Sequence, residues 1–245
     1  MRRVGLEARA TPIWRSALQG PVLETDATFG TGTDKIGAVA KQSAEFQFDL
    51  TGGQLALDLA NTISRRDDPE RRQDHLESYR DLVWFARQSG IASVKQAGEL
   101  LVYAERHGSQ ARRSFVESVK LREAVYRAFA AIAQGKSAAA ADLDLITAFA
   151  LKALQHRCLS RANGGYRWEW RSQESNPLDR ILWPMSQAAA DLLTSDELRI
   201  VRFCEAPDCE WLFLDHSRNR SRRWCDMTTC GNRQKARRHY QRARR

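Results

Sequence analysis

Four of the chain's five cysteines fall in its last stretch, Cys204 to Arg245, as two pairs of equal spacing. Four residues separate Cys204 from Cys209, four separate Cys225 from Cys230, and fifteen lie between the pairs. Two short-spaced pairs joined by a loop of this size can bring four thiolates around one tetrahedral Zn²⁺. Pro207 and Asp208 inside the first pair and Gly231 after the second are turn and cap residues at suitable positions. Four metal-free thiols or two disulfides are the alternatives. Nothing in the sequence marks a secreted protein, and the pattern suits a metal in a reducing cytosol better than a disulfide framework. His216 and His239 fit neither knuckle and are read as phosphate contacts or surface residues. A module this small buries too little surface to fold alone, so zinc is expected to contribute on the order of 10 kcal/mol to its folding.

The same stretch carries the charge. From Ser217 to Arg245 there are ten arginines and one lysine against a single acid, Asp226, while the whole chain is +9. The residues before Ser217 are therefore close to neutral. A neutral body with a zinc-stapled basic end is the pattern of a core domain followed by a nucleic-acid-contacting module.

The run WLFLDHSRNRSRRWCDMTTCGNRQKARRHY, with its tetrapeptide Cys230-Gly231-Asn232-Arg233, resembles the CGNR zinc finger. The upstream segment FDLTGGQLALDLANTISRR resembles the start of the ABATE domain that usually precedes that finger. The resemblance spans about residues 46 to 245. It implies a stress-linked bacterial transcription regulator and raises the expectation of DNA binding.

The expected fold is mainly α: a helical domain with a small β element, followed by a small treble-clef-like zinc finger with four cysteine ligands. Three regions are expected: a loose N-terminal extension over 1–44, an ABATE-like helical domain over 45–195, and the finger with its basic C-terminal helix over 196–245. A short helix is read near Trp14 to Leu18. Gly30-Thr31-Gly32 lacks the glycine spacing and Lys-Ser/Thr ending of a phosphate-binding loop. No window approaches ~18 uninterrupted apolar residues and no secretory h-region is visible. A cytoplasmic protein without membrane contact is expected, nucleoid-associated if it binds DNA.

Along the body, Phe46 and Phe48 alternate with polar neighbours and predict a strand ending at Gly52-Gly53. Leu55, Leu59 and Ile63 then recur at helical spacing. Asp58 and Asn61 share a neighbouring face of that helix. They either bond nearby backbone or, with Gly52 and Gly53, line a small-molecule pocket; the first reading is favoured. ISRRDDPERRQD reads as a charged loop. Helices are predicted over about 74–88, ended by Gly90, from Ser93 with Gln96 as a capping box, over about 111–133, and over about 139–158 with Cys158 on its apolar face. After the Asn163-Gly164-Gly165 turn signal, Tyr166, Trp168 and Trp170 alternate with charged residues as a strand. That ladder could stack bases, but packing onto a helical layer is the favoured reading. Pro184 suits the first turn of a helix ending near Leu193.

In the finger, the expected order is strand, knuckle, strand, loop, knuckle, helix, with Trp224 covering the metal and thiolates favoured at a helix N-terminus. The candidate nucleic-acid contacts are Arg218, Arg220, Arg222 and Arg223 in the loop and Arg233, Gln234, Arg237 and Arg238 on the helix. Arginine suits phosphate and guanine, and glutamine suits adenine. At least two of the loop arginines are expected to brace the metal site instead, through Asp215 and Asp226. DNA is the expected partner, with the helical domain sensing a small-molecule effector or forming a homodimer. A zinc-stabilised RNA-binding or ribosome-associated protein is the alternative, and a small-ligand-binding or protein-interaction module the third. Catalysis is not expected, because no nucleophile–base set is visible and four thiolates leave zinc no open position.

Overall fold

A computed structural model describes residues 46–162, 164–171 and 176–244. The extension over 1–44, the helix read near Trp14, the Gly30-Thr31-Gly32 run, Asn163 and Arg245 lie outside the described residues.

The fold is built around a short helix that is apolar on nearly every side. α1 (Leu55–Ala60) has all six residues buried, as a helix enclosed by other elements requires. It packs against α4 (Gly108–Ala133), α6 (Leu182–Leu193) and strand β6 (Leu212–Leu214). The expected strand over Phe46 and Phe48 does not form. The side chain of Gln88 stands in for a neighbouring strand, donating to the Phe46 carbonyl at 2.7 Å and accepting from the Phe48 N–H at 2.9 Å. Alternation assigned the faces there, but it cannot supply a strand to pair with.

The charged loop after α1 contains a two-residue ladder instead of being irregular throughout. β1 (Ile63–Ser64) pairs antiparallel with β2 (Gln73–Asp74). β2 occupies the start assigned to the next helix. α2 (Tyr79–Gln88) begins later, at a Ser78–Asp81 capping box, and Gly90 follows it at φ +81°. α3 (Val94–Arg106) starts at the expected Ser93–Gln96 capping box. α4 runs through the middle of the body and buries Leu121, Val125 and Phe129 together with one cation, Arg122. The Arg122 side chain is 1% exposed. It forks onto Asp74 at 2.6 and 2.7 Å and donates to Glu123 at 2.9 Å. Burial alone would raise the Asp74 pKa, but the Arg122 hydrogen bonds and charge, with the Leu76 N–H, hold it below the ordinary carboxylate range.

α5 (Ala140–Leu154) is shorter than expected. The chain then turns into β3 (Arg157–Ala162), antiparallel to β4 (Gly165–Trp170). Cys158 therefore lies half-buried on a strand, not on a helix face, with its thiol 3.8 Å from the Glu169 carbonyl. Trp170 packs onto Trp183 of α6, 5.9 Å between centroids, as the packing reading requires. Tyr166 and Trp168 do not follow: they are 77% and 54% exposed. Strand periodicity gives the face a residue occupies, but not how far the layer beneath it extends.

β5 (Val201–Phe203) pairs antiparallel with β6, Val201 opposite Leu214. Leu212 and Leu214 face the helical core, while Phe213 between them faces the cysteines. One pair of strands thus closes the body on one side and roofs the metal site on the other. Among the described residues no helix is long and apolar enough to cross a membrane.

Candidate metal centre and basic face

The first knuckle starts where β5 ends. The Cys204 N–H donates to the Trp211 carbonyl at 2.8 Å, and the Cys209 N–H to the Ala206 carbonyl at 3.1 Å. This folds the Pro207–Asp208 turn so that both thiols point the same way. The second knuckle is built on Asp226, whose carboxylate accepts from the Thr229 N–H at 2.8 Å and from the Thr228 and Thr229 hydroxyls. Those bonds, the Thr228 hydroxyl first, hold Asp226 below the ordinary carboxylate range against the effect of burial. A wide turn, Met227–Gly231, is closed by the Gly231 N–H on the Asp226 carbonyl at 3.0 Å. It carries Cys230 to the head of α7 (Asn232–Ala243).

All four cysteines are buried and their sulfurs lie within 4.8 Å of one another. Cys225 is 3.6 Å from both Cys209 and Cys230. Tetrahedral Zn²⁺ with bonds of about 2.3 Å sets its sulfurs about 3.8 Å apart, so the donor set fits the ion. Hydrogen bonds from the other three thiols hold Cys204 low, and the same sharing, with burial, pushes Cys209 up. Four thiolates brought this close repel one another, and a dication at their centre offsets that repulsion. The cluster is the site of one structural zinc.

The tetrapeptide at the second knuckle is metal-site architecture. Cys230 is a ligand. A Cβ on Gly231 would meet the end of the exposed Met227 side chain, 2.9 Å from its sulfur, which can swing away, and its φ of −61° is ordinary helix, so neither close approach nor cap geometry demands glycine there. Asn232 donates to the Thr228 carbonyl at 3.1 Å. Arg233 reaches back to the Cys230 sulfur at 3.3 Å and to Asp208 at 3.2 Å, linking the two knuckles.

The loop between the knuckles hangs on Asp215. This buried carboxylate accepts from Ser217 twice, at 2.6 and 3.0 Å, and from the Arg222 N–H at 3.0 Å. Burial would raise its pKa, but these bonds and the Arg202 charge hold it below the ordinary range. An acid beside the loop was the one local signal for this role, and it pointed to arginine side chains instead of backbone. Arg222 lies over the Phe213 ring at 4.6 Å and donates to the Trp224 and Cys225 carbonyls. Arg223 pairs with Glu205 and covers Trp224 at 5.4 Å. These two are the bracing arginines, through Glu205 and backbone carbonyls where Asp226 had been expected. Arg218 and Arg220 stand exposed at the loop tip, Arg220 in the left-handed region at φ +48°. On α7, Arg237 and Arg238 are exposed, with Arg238 at 6.0 Å over Trp224, while Gln234 is half-buried and its amide nitrogen is shielded from solvent. Trp224 and Trp211 both pack against the cysteine cluster.

At the residues suggested for a ligand pocket, Asp58 accepts from the Gly52 N–H at 2.8 Å, and Asn61 holds the backbone of Leu212. Both also line a cavity, together with Trp211 of the finger; Gly52 and Gly53 do not.

Two family models match the chain in order. Residues 53–196 match ABATE, described as "Putative stress-induced transcription regulator", and residues 201–243 match the CGNR zinc finger. No curated protein matches the chain.

Proposed function

The chain belongs to the ABATE family, and from that premise we propose that it is a cytoplasmic, non-enzymatic transcription regulator whose zinc-anchored C-terminal module contacts duplex DNA. The carrying observation is the composition of α7. It holds four arginines and a lysine with no acid, and it is fixed at one end to the metal site. A rigid helix of this kind meets the electrostatic requirement for a groove or a phosphate track. Arg237, Arg238, Arg218 and Arg220 are the contacting residues in this reading. Arg222, Arg223 and Arg233 hold the module in shape. The helical body senses an effector or pairs with a second copy.

The test is selection of zinc-loaded protein against a random duplex pool, with salt titration and sequencing of the retained DNA. An enriched motif that is lost in Arg237→Ala supports sequence reading by α7. Salt-steep binding without a motif, or tighter binding to structured RNA, replaces the DNA reading with a polyanion-binding one.

A further inference from the structure

A cavity of about 190 Å³ lies beside α1 and the β1–β2 ladder, with Trp211 of the finger in its wall. Four rings line it: Phe46, Phe48, His75 and Trp211. Phe46 stacks on His75 at 4.3 Å and meets Phe48 edge-on at 5.0 Å and 78°, so these rings form a corner. Trp211 is held by its indole N–H, which donates to the Ile63 carbonyl at 2.9 Å. Two carboxylates complete the wall, Asp49 at the exposed rim and Asp58 deep inside. Among the described residues no lysine or arginine lines the cavity. Burial holds His75 below its ordinary pKa, against the pull of Asp74, Asp49 and Glu77, so it adds no positive charge at neutral pH.

Aromatic rings and an acid that line one space, with no lysine or arginine among them, favour an organic cation over an anion or a purely apolar guest. We propose that this cavity binds a small organic ammonium ion, with the Phe46, Phe48 and Trp211 rings against its carbon–nitrogen shell and Asp49 at the rim as its acidic neighbour. An occupant there touches the finger directly. Trp211 leads into β6, and Asn61 of the same wall holds Leu212. The inference rests on the regulator reading for its role as a sensor, but the binding itself needs no nucleic acid. Its failure is therefore separate from failure of the DNA contact.

The experiment is calorimetric titration of the zinc-loaded full chain with choline and with ethanolamine. The uncharged choline isostere 3,3-dimethylbutan-1-ol and matched sodium chloride are the controls. Saturable one-to-one binding of at least one cation is expected, with none for the alcohol. Phe46→Ala and Asp49→Asn each weaken it by roughly three- to thirty-fold. Both residues are exposed, and an unchanged thermal midpoint is expected of Asp49→Asn, which removes no ring. Three results overturn the proposal: no saturable binding of either cation, equal binding of the alcohol, or unchanged affinity in both variants.

Discussion

Asn61 and Leu212 meet as if they were paired on neighbouring strands. The Asn61 amide donates to the Leu212 carbonyl at 2.8 Å and accepts from the Leu212 N–H at 2.9 Å, across 151 residues of sequence. Beside them the Leu214 N–H donates to the Gly52 carbonyl at 2.9 Å. The start of the helical body therefore acts as the third edge of the finger's strand pair. Asn61→Leu fills a similar volume but strands two buried backbone groups, and should cost roughly 2–6 kcal/mol. Urea unfolding reads this as a lower midpoint. A loss under about 0.5 kcal/mol, the range of a neutral surface change, would mean that the clamp does not hold the strand.

Metal removal should split the finger along the line that burial draws. Val201, Leu212 and Leu214 pack in the helical core, whereas beyond the Asp215 bonds that tether the loop the second knuckle packs on the cysteine cluster. Chelation, or Cys225→Ser, is expected to open the Ser217–Arg223 loop to trypsin while the helical body keeps its far-ultraviolet signal and a cooperative thermal transition. Metal analysis of the untreated protein should give one zinc per chain. Loss of the whole helical signal on chelation would show instead that body and finger unfold as one unit.

Two arginines of the basic end should behave oppositely. Arg222 lies over Phe213 and donates to two backbone carbonyls, so Arg222→Ala should loosen the zinc site and speed metal release. Arg237 is exposed on α7. Arg237→Ala should leave metal release unchanged, weaken nucleic-acid binding, and lower the salt slope by about 0.9 if it neutralises one phosphate. Equal metal release from the two variants would remove the distinction between bracing and contacting residues.

The metal site was legible because ligand spacing is a local property: four cysteines at fixed offsets leave few alternatives. Capping at Ser93 and Gln96 was legible for the same reason. The CGNR arginine was not. Arg233 looks like a helix-face DNA contact, and only the folded turn shows it reaching Cys230 and Asp208. Asn61 carried a readable signal, an amide in an otherwise apolar helix, but its partner lies on a strand far along the chain. Tyr166 and Trp168 were misread because alternation does not say where the supporting layer ends. Arg122 was missed because a buried cation is identified by its acids, and Asp74 sits on a two-residue strand that no periodicity reveals.

That buried pair gives a prediction in pH. Arg122 is enclosed, and Asp74, although only half-buried, supplies both ends of its fork. The folded pKa of Asp74 lies below its ordinary value of 3.8. The unfolded state therefore takes up the proton first as acid is added. Stability from Asp74 is fully present above the unfolded pKa and is lost as pH falls through the folded one. Asp74→Asn keeps the shape but leaves Arg122 with Glu123 as its acid. The expected loss at neutral pH is about 3 kcal/mol, the low end for a broken buried pair, because water reaches Asp74. Asp215 and Asp226 are also held low and contribute to acid sensitivity in both proteins, so the informative quantity is the difference between them. Urea midpoints of parent and variant should converge as pH drops through the acid range. A gap that stays constant down to the lowest pH at which the parent folds would mean that the Asp74 charge contributes nothing and the variant loses only packing.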